Sequence, residues 1–166
     1  MGVRDAFVSE FDHEVATTRR LLERLPEDEA RLAWKPHAKS MSLGGIGTHI
    51  SSIPTWTTAI FDRTTFDLAD APAALEEKRS RTAILSHFDD SIRAARKALD
   101  KTDAEFAAMW SLRRDGQEVF SMPRTSVFRN FVLNHLIHHR GQLSVYLRLN
   151  DIPVPSIYGP SADEGQ

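Results

Sequence analysis

Residues 134–149 read NHLIHHRGQLSVYLRL and determine the fold class, because apolar side chains recur along them at helical spacing. Pro123 precedes this stretch, and the tail after Leu149 contains three prolines that cannot continue a helix. We therefore predict one long helix that begins at Pro123 and ends near Leu149.

Three segments upstream show the same amphipathic periodicity. They are residues 3–25, 42–62 and 75–100. The second segment follows Ser40 and Ser42, either of which can cap a helix, and Pro54 predicts a kink within it. Four long helices with short or medium connections predict an all-α four-helix bundle, a single domain over residues 1–166.

A shorter excursion is expected between the third and the fourth helix. Asp115 and Gly116 separate two short runs, residues 108–112 and 118–122. An Asp-Gly pair between such runs favours a two-residue hairpin turn. We therefore predict a small β-hairpin or extended segment within residues 106–122.

The composition excludes several classes of function. The chain has 166 residues, no cysteine and a formal net charge of −2. Without cysteine there can be no disulfide, cysteine–zinc site, iron–sulfur cluster or cysteine nucleophile. The near-neutral charge argues against a nucleic-acid partner. No stretch has the pattern of a signal peptide or a membrane span, so we predict a cytoplasmic protein without membrane contact.

Three of the seven histidines lie within five residues of the last predicted helix. Positions four apart differ by about 40° around an α-helix, so His135 and His139 project from the same face. Two imidazoles at this spacing can chelate one divalent metal ion, whereas His138 projects to the side. The face is expected to point into the bundle, because its other residues are mostly apolar or aromatic: Phe128, Phe131, Tyr146 and Leu149.

A metal site needs at least one more ligand, and His49 is the best internal candidate. It lies at the flank of the apolar stripe of the second helix, three residues after Ile46. Gln142 follows His139 by three residues and could orient a ligand or a substrate, as could Asn134. An inward histidine can also be a hydrogen-bonded core residue, so the residues alone leave both interpretations open.

Several motifs resemble the DinB/YfiT-like family of metalloenzymes. Near the end of the chain these are HLIHHRGQL at 135–143, YLR at 146–148, IPVP at 152–155 and YGPS at 158–161. Upstream they are WKPH at 34–37, SMS at 40–42 and THI at 48–50. The resemblance covers nearly the whole chain and implies a four-helix bundle with a metal held by three histidines. Carried over residue by residue, the family's ligands fall on His49, His135 and His139.

The resemblance also implies a function. Family members bind nickel or zinc and are frequently dimers, and related proteins include thiol-dependent S-transferases and a mycothiol-dependent isomerase. We therefore expect a zinc- or nickel-dependent enzyme that acts on a small-molecule substrate as a homodimer. It would be a transferase that uses a low-molecular-weight thiol, or a hydrolase.

The alternative is a non-catalytic, metal-stabilised dimeric bundle that acts in stress response. A closed coordination sphere would favour this alternative, because structural metal sites hold four protein ligands. Asp12 or Glu14 on the first helix could supply the fourth ligand.

Overall fold

Helices dominate the structure, a computed structural model that describes residues 2–71, 73 and 75–165. The α-helices are α1 (Val3–Leu22), α2 (Glu29–Leu32), α3 (Leu43–Ser52), α4 (Trp56–Phe61), α5 (Arg81–Ala98), α6 (Asp103–Ala107), α7 (Arg124–Phe128) and α8 (His135–Leu149). One sheet contains β1 (Thr65–Asp67), β2 (Met109–Arg114) and β3 (Gln117–Pro123). A π-helical stretch, Arg129–Asn134, joins α7 to α8. None of the described helices is both long and apolar enough to cross a membrane.

The second predicted helix is divided in two. Ser42, rather than Ser40, caps α3, since its Oγ accepts a hydrogen bond from the Gly45 backbone N–H at 2.8 Å. A 3₁₀ turn over Ile53–Thr55, which contains Pro54, separates α3 from α4. Proline has no N–H with which to continue the α-helical hydrogen bonds. The kink predicted from the sequence is therefore confirmed as a break in the helix.

The third predicted helix is shorter than expected, because residues 75–80 are not helical. Two of these residues bind α3 instead. The Glu77 carboxylate accepts a hydrogen bond from Ser42 Oγ at 2.5 Å. The Lys78 backbone N–H donates to Thr48 Oγ1 at 2.9 Å. Tertiary contacts with α3 therefore override the helical periodicity, and α5 begins only after this stretch.

The predicted hairpin is confirmed and belongs to a larger sheet. β2 and β3 pair antiparallel around Asp115 and Gly116, whose φ angles of 51° and 78° lie in the left-handed region that a two-residue turn requires. β1 pairs parallel with β2, which was not predicted because a three-residue strand carries too short a pattern. The Asp67 carboxylate accepts hydrogen bonds from both turn amides and so holds β1 beside the hairpin. The chain is therefore mostly helical with a three-stranded sheet, not all-α with a hairpin alone.

The core lies between α1, α3, α5 and α8. α3 contacts both α5 and α8, and α1 contacts the same two helices. Buried side chains fill the space between them, including Phe11, Ile46, Ile50, Ile84, Phe88, Leu136, Leu143 and Leu147. Gly47 permits close packing of α3, since a Cβ at this position would lie 2.8 Å from Leu25 Cδ1. Separate contacts between α3 and α8 place His49 beside the histidines of the last helix.

Candidate metal centre

Three histidines from two helices converge on one point. His49 lies on α3, and His135 and His139 lie one turn apart on α8. The Nε2 atoms of His49 and His135 are 3.1 Å apart. The ring centroid of His139 lies 4.4 Å from that of His49. One ring nitrogen from each residue falls within 4.8 Å of the other two, so the three candidate ligands are adjacent in space.

The spacing of the ring nitrogens fits a shared cation. Two nitrogen ligands of a tetrahedral zinc ion, each at about 2.0–2.1 Å, lie about 3.3 Å apart. The 3.1 Å between the Nε2 atoms of His49 and His135 is close to this value. A hydrogen bond between the rings of His49 and His135 could explain why these two lie close together. It does not explain the position of His139, whose ring centroid lies 4.4 Å from that of His49 and 4.7 Å from that of His135. The cluster could therefore hold a metal ion.

The π-helical stretch sets the direction of the histidines on α8. Over Arg129–Asn134 each turn takes up an extra residue, and regular α-helix resumes at His135. The extra residue rotates the side chains that follow relative to those that precede. Phe128 is accordingly fully buried, whereas His135, predicted to share its face, is only partly buried. The sequence did not predict this π segment, a feature that frequently accompanies functional sites.

The histidine face lies at the margin of the core, which corrects the expectation that it points inside. His49, His135 and His139 are each partly buried, and Leu149 on the predicted inward face is 58% exposed. The buried stripe of α8 consists instead of Leu136, Arg140, Leu143 and Leu147. Partial exposure keeps the cluster accessible to a ligand from solvent.

Burial keeps the three imidazoles neutral. Loss of hydration, followed by the charges of His139 and His135, lowers the pKa of His49 to about 4. Loss of hydration also lowers the pKa of His135 and His139, against opposing hydrogen bonds to the Phe131 backbone and to Gln142 respectively. At neutral pH all three rings therefore offer free lone pairs, and this is the form that binds metal.

Gln142 orients one of the three rings. Its Oε1 lies 2.8 Å from Nδ1 of His139. A carbonyl oxygen can only accept, so Nδ1 carries the proton and Nε2 keeps its lone pair. Asn134, the other residue considered for this role, is exposed and donates to Asn130 instead, at 3.4 Å. His138 is also exposed and is not one of the three candidate ligands, although its ring centroid lies 4.8 Å from that of His139. The structure therefore brings Gln142 to the cluster and leaves Asn134 outside it.

The two carboxylates considered as a fourth ligand lie elsewhere. Asp12 pairs with Arg96 at 2.9 Å, and Glu14 pairs with Arg140 at 2.6 Å. Within the described residues, the cluster contains imidazoles alone. The structure therefore contradicts a fourth ligand from the first helix, because both carboxylates are bound to arginine. Three protein ligands and an open position are typical of catalytic zinc sites.

One buried charged residue that follows a candidate ligand was not predicted from the sequence. Arg140 follows His139 directly, and its side chain is only 1% exposed. The signal was present, because Arg140 lies between Leu136 and Leu143 on the apolar stripe of the helix. A charged residue in such a stripe predicts a buried partner, which is Glu14 in this structure.

The sequence and the fold were compared with those of known proteins. A profile of the DinB family matches residues 1–166 of the chain. The chain belongs to the DinB family. A relative in sequence, the uncharacterized protein YrdA of Bacillus subtilis (strain 168), is 27% identical to this DinB-family chain over 161 residues, which are 96% of this chain and 90% of YrdA.

Solved structures of DinB-like proteins share the fold of this DinB-family chain. One, from Bacillus cereus, has a TM-score of 0.68 and 23% identity, and the match covers 93% of this chain and 97% of the other. Another, YjoA from Bacillus subtilis, also has a TM-score of 0.68, with 18% identity over 93% of this chain and 98% of the other. At these identities the likeness shows a shared fold and does not identify a reaction.

Proposed function

We propose that this DinB-family protein binds one divalent metal ion, zinc or nickel, through His49, His135 and His139. The observation that carries the proposal is the convergence of three imidazole rings, with the Nε2 atoms of His49 and His135 3.1 Å apart. Imidazole nitrogen suits both zinc and nickel, and the choice of these two metals comes from the family resemblance. The two helices that carry the ligands, α3 and α8, would form a four-helix bundle with α1 and α5.

We further propose that the site activates a thiol or a water molecule. A divalent ion at this position would supply Lewis acidity, which lowers the pKa of a thiol or water beside it. Gln142 would hold the proton of His139 at Nδ1 and so keep Nε2 directed at the ion. Because the chain has no cysteine, the sulfur for a transfer reaction would come from a low-molecular-weight cosubstrate.

The reaction class rests on the resemblance to the family. In a transferase the thiolate of the cosubstrate would form a bond to an electrophilic atom of the small-molecule substrate and displace a leaving group from it, and a hydrolase would use water as the nucleophile at the same position. Partial exposure of the three rings supports access for such a substrate from the solvent side. The homodimeric state, the cytoplasmic location and the absence of nucleic-acid contact remain predictions.

Metal analysis of protein purified without a His tag tests the proposed site. We expect near-stoichiometric metal in the wild type and less than about 0.2 metal ions per chain in His49→Ala, because two imidazoles hold a divalent ion much less tightly than three. His13→Ala, at an exposed histidine of α1, is the matched control and should keep its metal. Full occupancy in His49→Ala would overturn the assignment of this residue.

One observation favours the non-catalytic alternative. Within the described residues, the cluster contains no carboxylate that could act as a general base. A purely structural metal predicts that EDTA lowers the melting temperature, while the metal-loaded protein shows neither thiol transfer nor hydrolysis. Turnover of a small electrophile that requires both metal and added thiol would exclude this alternative.

A further inference from the structure

A buried polar network includes Arg140, the residue that follows the proposed ligand His139 in the sequence. It consists of Glu14 and Thr18 on α1, Arg140 on α8 and Tyr158 in the tail, and we call it the Arg140 network. Arg140 is 1% exposed and Glu14 is 5% exposed. Nη1 of Arg140 donates to the Glu14 backbone carbonyl at 3.2 Å and to Thr18 Oγ1 at 3.3 Å. Nη2 of Arg140 lies 2.6 Å from the Glu14 carboxylate, so both charges are paired inside the protein.

Tyr158 joins the C-terminal tail to this network. Its hydroxyl lies 2.5 Å from Arg140 Nη2 and 2.9 Å from Glu14 Oε2. A guanidinium can only donate, so the hydroxyl accepts from Arg140 and donates to Glu14. The guanidinium also lies 5.0 Å from the centroid of the tyrosine ring, a cation–π distance. The YGPS motif, which the proposed metal site does not use, therefore has a contact one residue away from His139.

Two more ion pairs hold the same tail against the helices. They join Arg24 to Glu164 and Arg148 to Asp163. Both pairs are substantially exposed, so each contributes little to stability on its own. Both pairs join the tail that carries Tyr158 to residues outside the tail.

A buried ion pair is a costly way to fill space in a core. Taking two charges out of water costs free energy that their attraction repays only with good geometry, and apolar residues of equal volume are often as stabilising. The best-attested use of such groups is to select one register between packed elements. Arg140 has the position for this role, because it projects about 100° around the helix from His139. It reaches α1, while His139 faces His49 on α3.

We propose that the Arg140 network positions α8, setting its rotation and its axial register against α1 so that His135 and His139 meet His49. The inference rests on the proposed metal site. A slip of one residue would displace the histidines by about 1.5 Å along the helix axis and about 100° around it. Such a slip would destroy the 3.1 Å approach of His49 Nε2 to His135 Nε2. The four members of the network are therefore positioning residues that act through the ligands.

The test separates register from stability. Glu14→Met combined with Arg140→Leu removes both charges and keeps a similar volume, so this double variant should fold with wild-type stability. Tyr158→Phe removes one hydroxyl from a side chain that is 64% exposed, and it folds even if the double variant does not. Val145→Ala, at an exposed position of α8 outside the network, is the matched control.

Zinc affinity is measured by competition with a chromophoric chelator, and the visible absorption spectrum is recorded after cobalt substitution. We expect zinc binding about 10- to 100-fold weaker in the double variant, a smaller loss in Tyr158→Phe, and altered cobalt bands in both. Urea unfolding of the metal-free proteins should show unchanged midpoints.

Wild-type affinity and spectrum in the folded double variant would overturn the inference. If the double variant does not fold, wild-type zinc affinity and a wild-type cobalt spectrum in Tyr158→Phe would also overturn the inference.

A different result would overturn the proposed metal site itself. If the wild-type protein binds neither zinc nor cobalt, the site is wrong, and the inference that rests on it is wrong as well.

Discussion

Nε2 of His49 lies 3.1 Å from Nε2 of His135, although the two residues are 86 positions apart in the sequence. The contact joins α3 to α8 through two partly buried rings and includes His139 in the same cluster. Protonation of more than one ring would place like charges side by side in a poorly hydrated site. Proton binding, metal binding and folding are therefore linked at this point.

Acid is expected to destabilise the metal-free protein below about pH 6.5. The pKa of His49 falls from its ordinary value of 6.5 to about 4 in the fold, because hydration is lost and two imidazoles lie beside it. The unfolded chain then binds a proton more readily than the folded one. The contribution of His49 to the free energy of unfolding is fully present above pH 6.5 and is lost progressively as the pH falls toward 4.

Urea unfolding of the metal-free protein at a series of pH values checks this dependence. His49→Gln lacks the titrating ring and should show a shallower loss between about pH 6.5 and pH 4. His13→Gln, at an exposed histidine of α1, is the control and should follow the wild type. Equal slopes in the wild type and His49→Gln would contradict the depressed pKa.

Loss of the Gln142 side chain is expected to weaken metal binding without unfolding the chain. The amide oxygen of Gln142 holds Nδ1–H of His139 at 2.8 Å, and partners that orient a ligand contribute about 10- to 100-fold to metal affinity. Zinc competition titrations of Gln142→Ala should show a loss of this size. Asn134→Ala, on the same helical segment but exposed, should bind zinc like the wild type. Equal zinc affinities of Gln142→Ala and Asn134→Ala would contradict a role of Gln142 in metal binding.

Replacing each of two helical glycines by alanine should change the free energy of unfolding in opposite directions. A Cβ at Gly47 would lie 2.8 Å from Leu25 Cδ1 and 3.2 Å from Ile84 Cδ1, so Gly47→Ala overpacks the core. We expect a loss of about 1–3 kcal/mol in the free energy of unfolding, reduced by the better helix propensity of alanine. Apart from its chain neighbours and its own helix backbone, no atom of the described residues lies within 4 Å of an ideal Cβ at Gly141, so Gly141→Ala should stabilise by about 0.5–1 kcal/mol.

Equilibrium urea unfolding of both variants measures the difference. A stabilising Gly47→Ala would show that α3 can move away from α5 without cost. Zinc binding should survive in Gly141→Ala, because the added methyl group contacts no ligand.

Much of the fold could be predicted where the signal is local. The Asp115-Gly116 turn and the break at Pro54 follow from backbone chemistry within one or two residues, and the structure contains both. Residues 75–80 have a helical pattern, but Glu77 and Lys78 form hydrogen bonds with α3 and with its capping residue. The residues next to them in the sequence do not indicate these contacts. β1 was missed for the same reason, since its partner strand lies more than forty residues further along the chain.

In the candidate metal site too, contacts within one helix could be predicted and contacts between helices could not. His135 and His139 could be predicted as a pair because the pitch of one helix sets their spacing. The metal cluster itself needed His49, which a flank position on another helix suggested without identifying. The prediction that the histidine face points into the bundle was wrong, because the π-helical segment before His135 rotates this face to the margin of the core.

The sequence by itself determined the positions of the first and last long helices, the hairpin turn, the absence of cysteine ligands and the side-by-side histidine pair on the last helix, because each depends on residues within a few positions of one another. Only the tertiary structure decided that His49 meets that pair and that Arg140 is buried against Glu14 and Tyr158. It also decided that residues 75–80 lie along α3. These contacts join residues far apart in the chain, so their free energy exists only once the helices have packed.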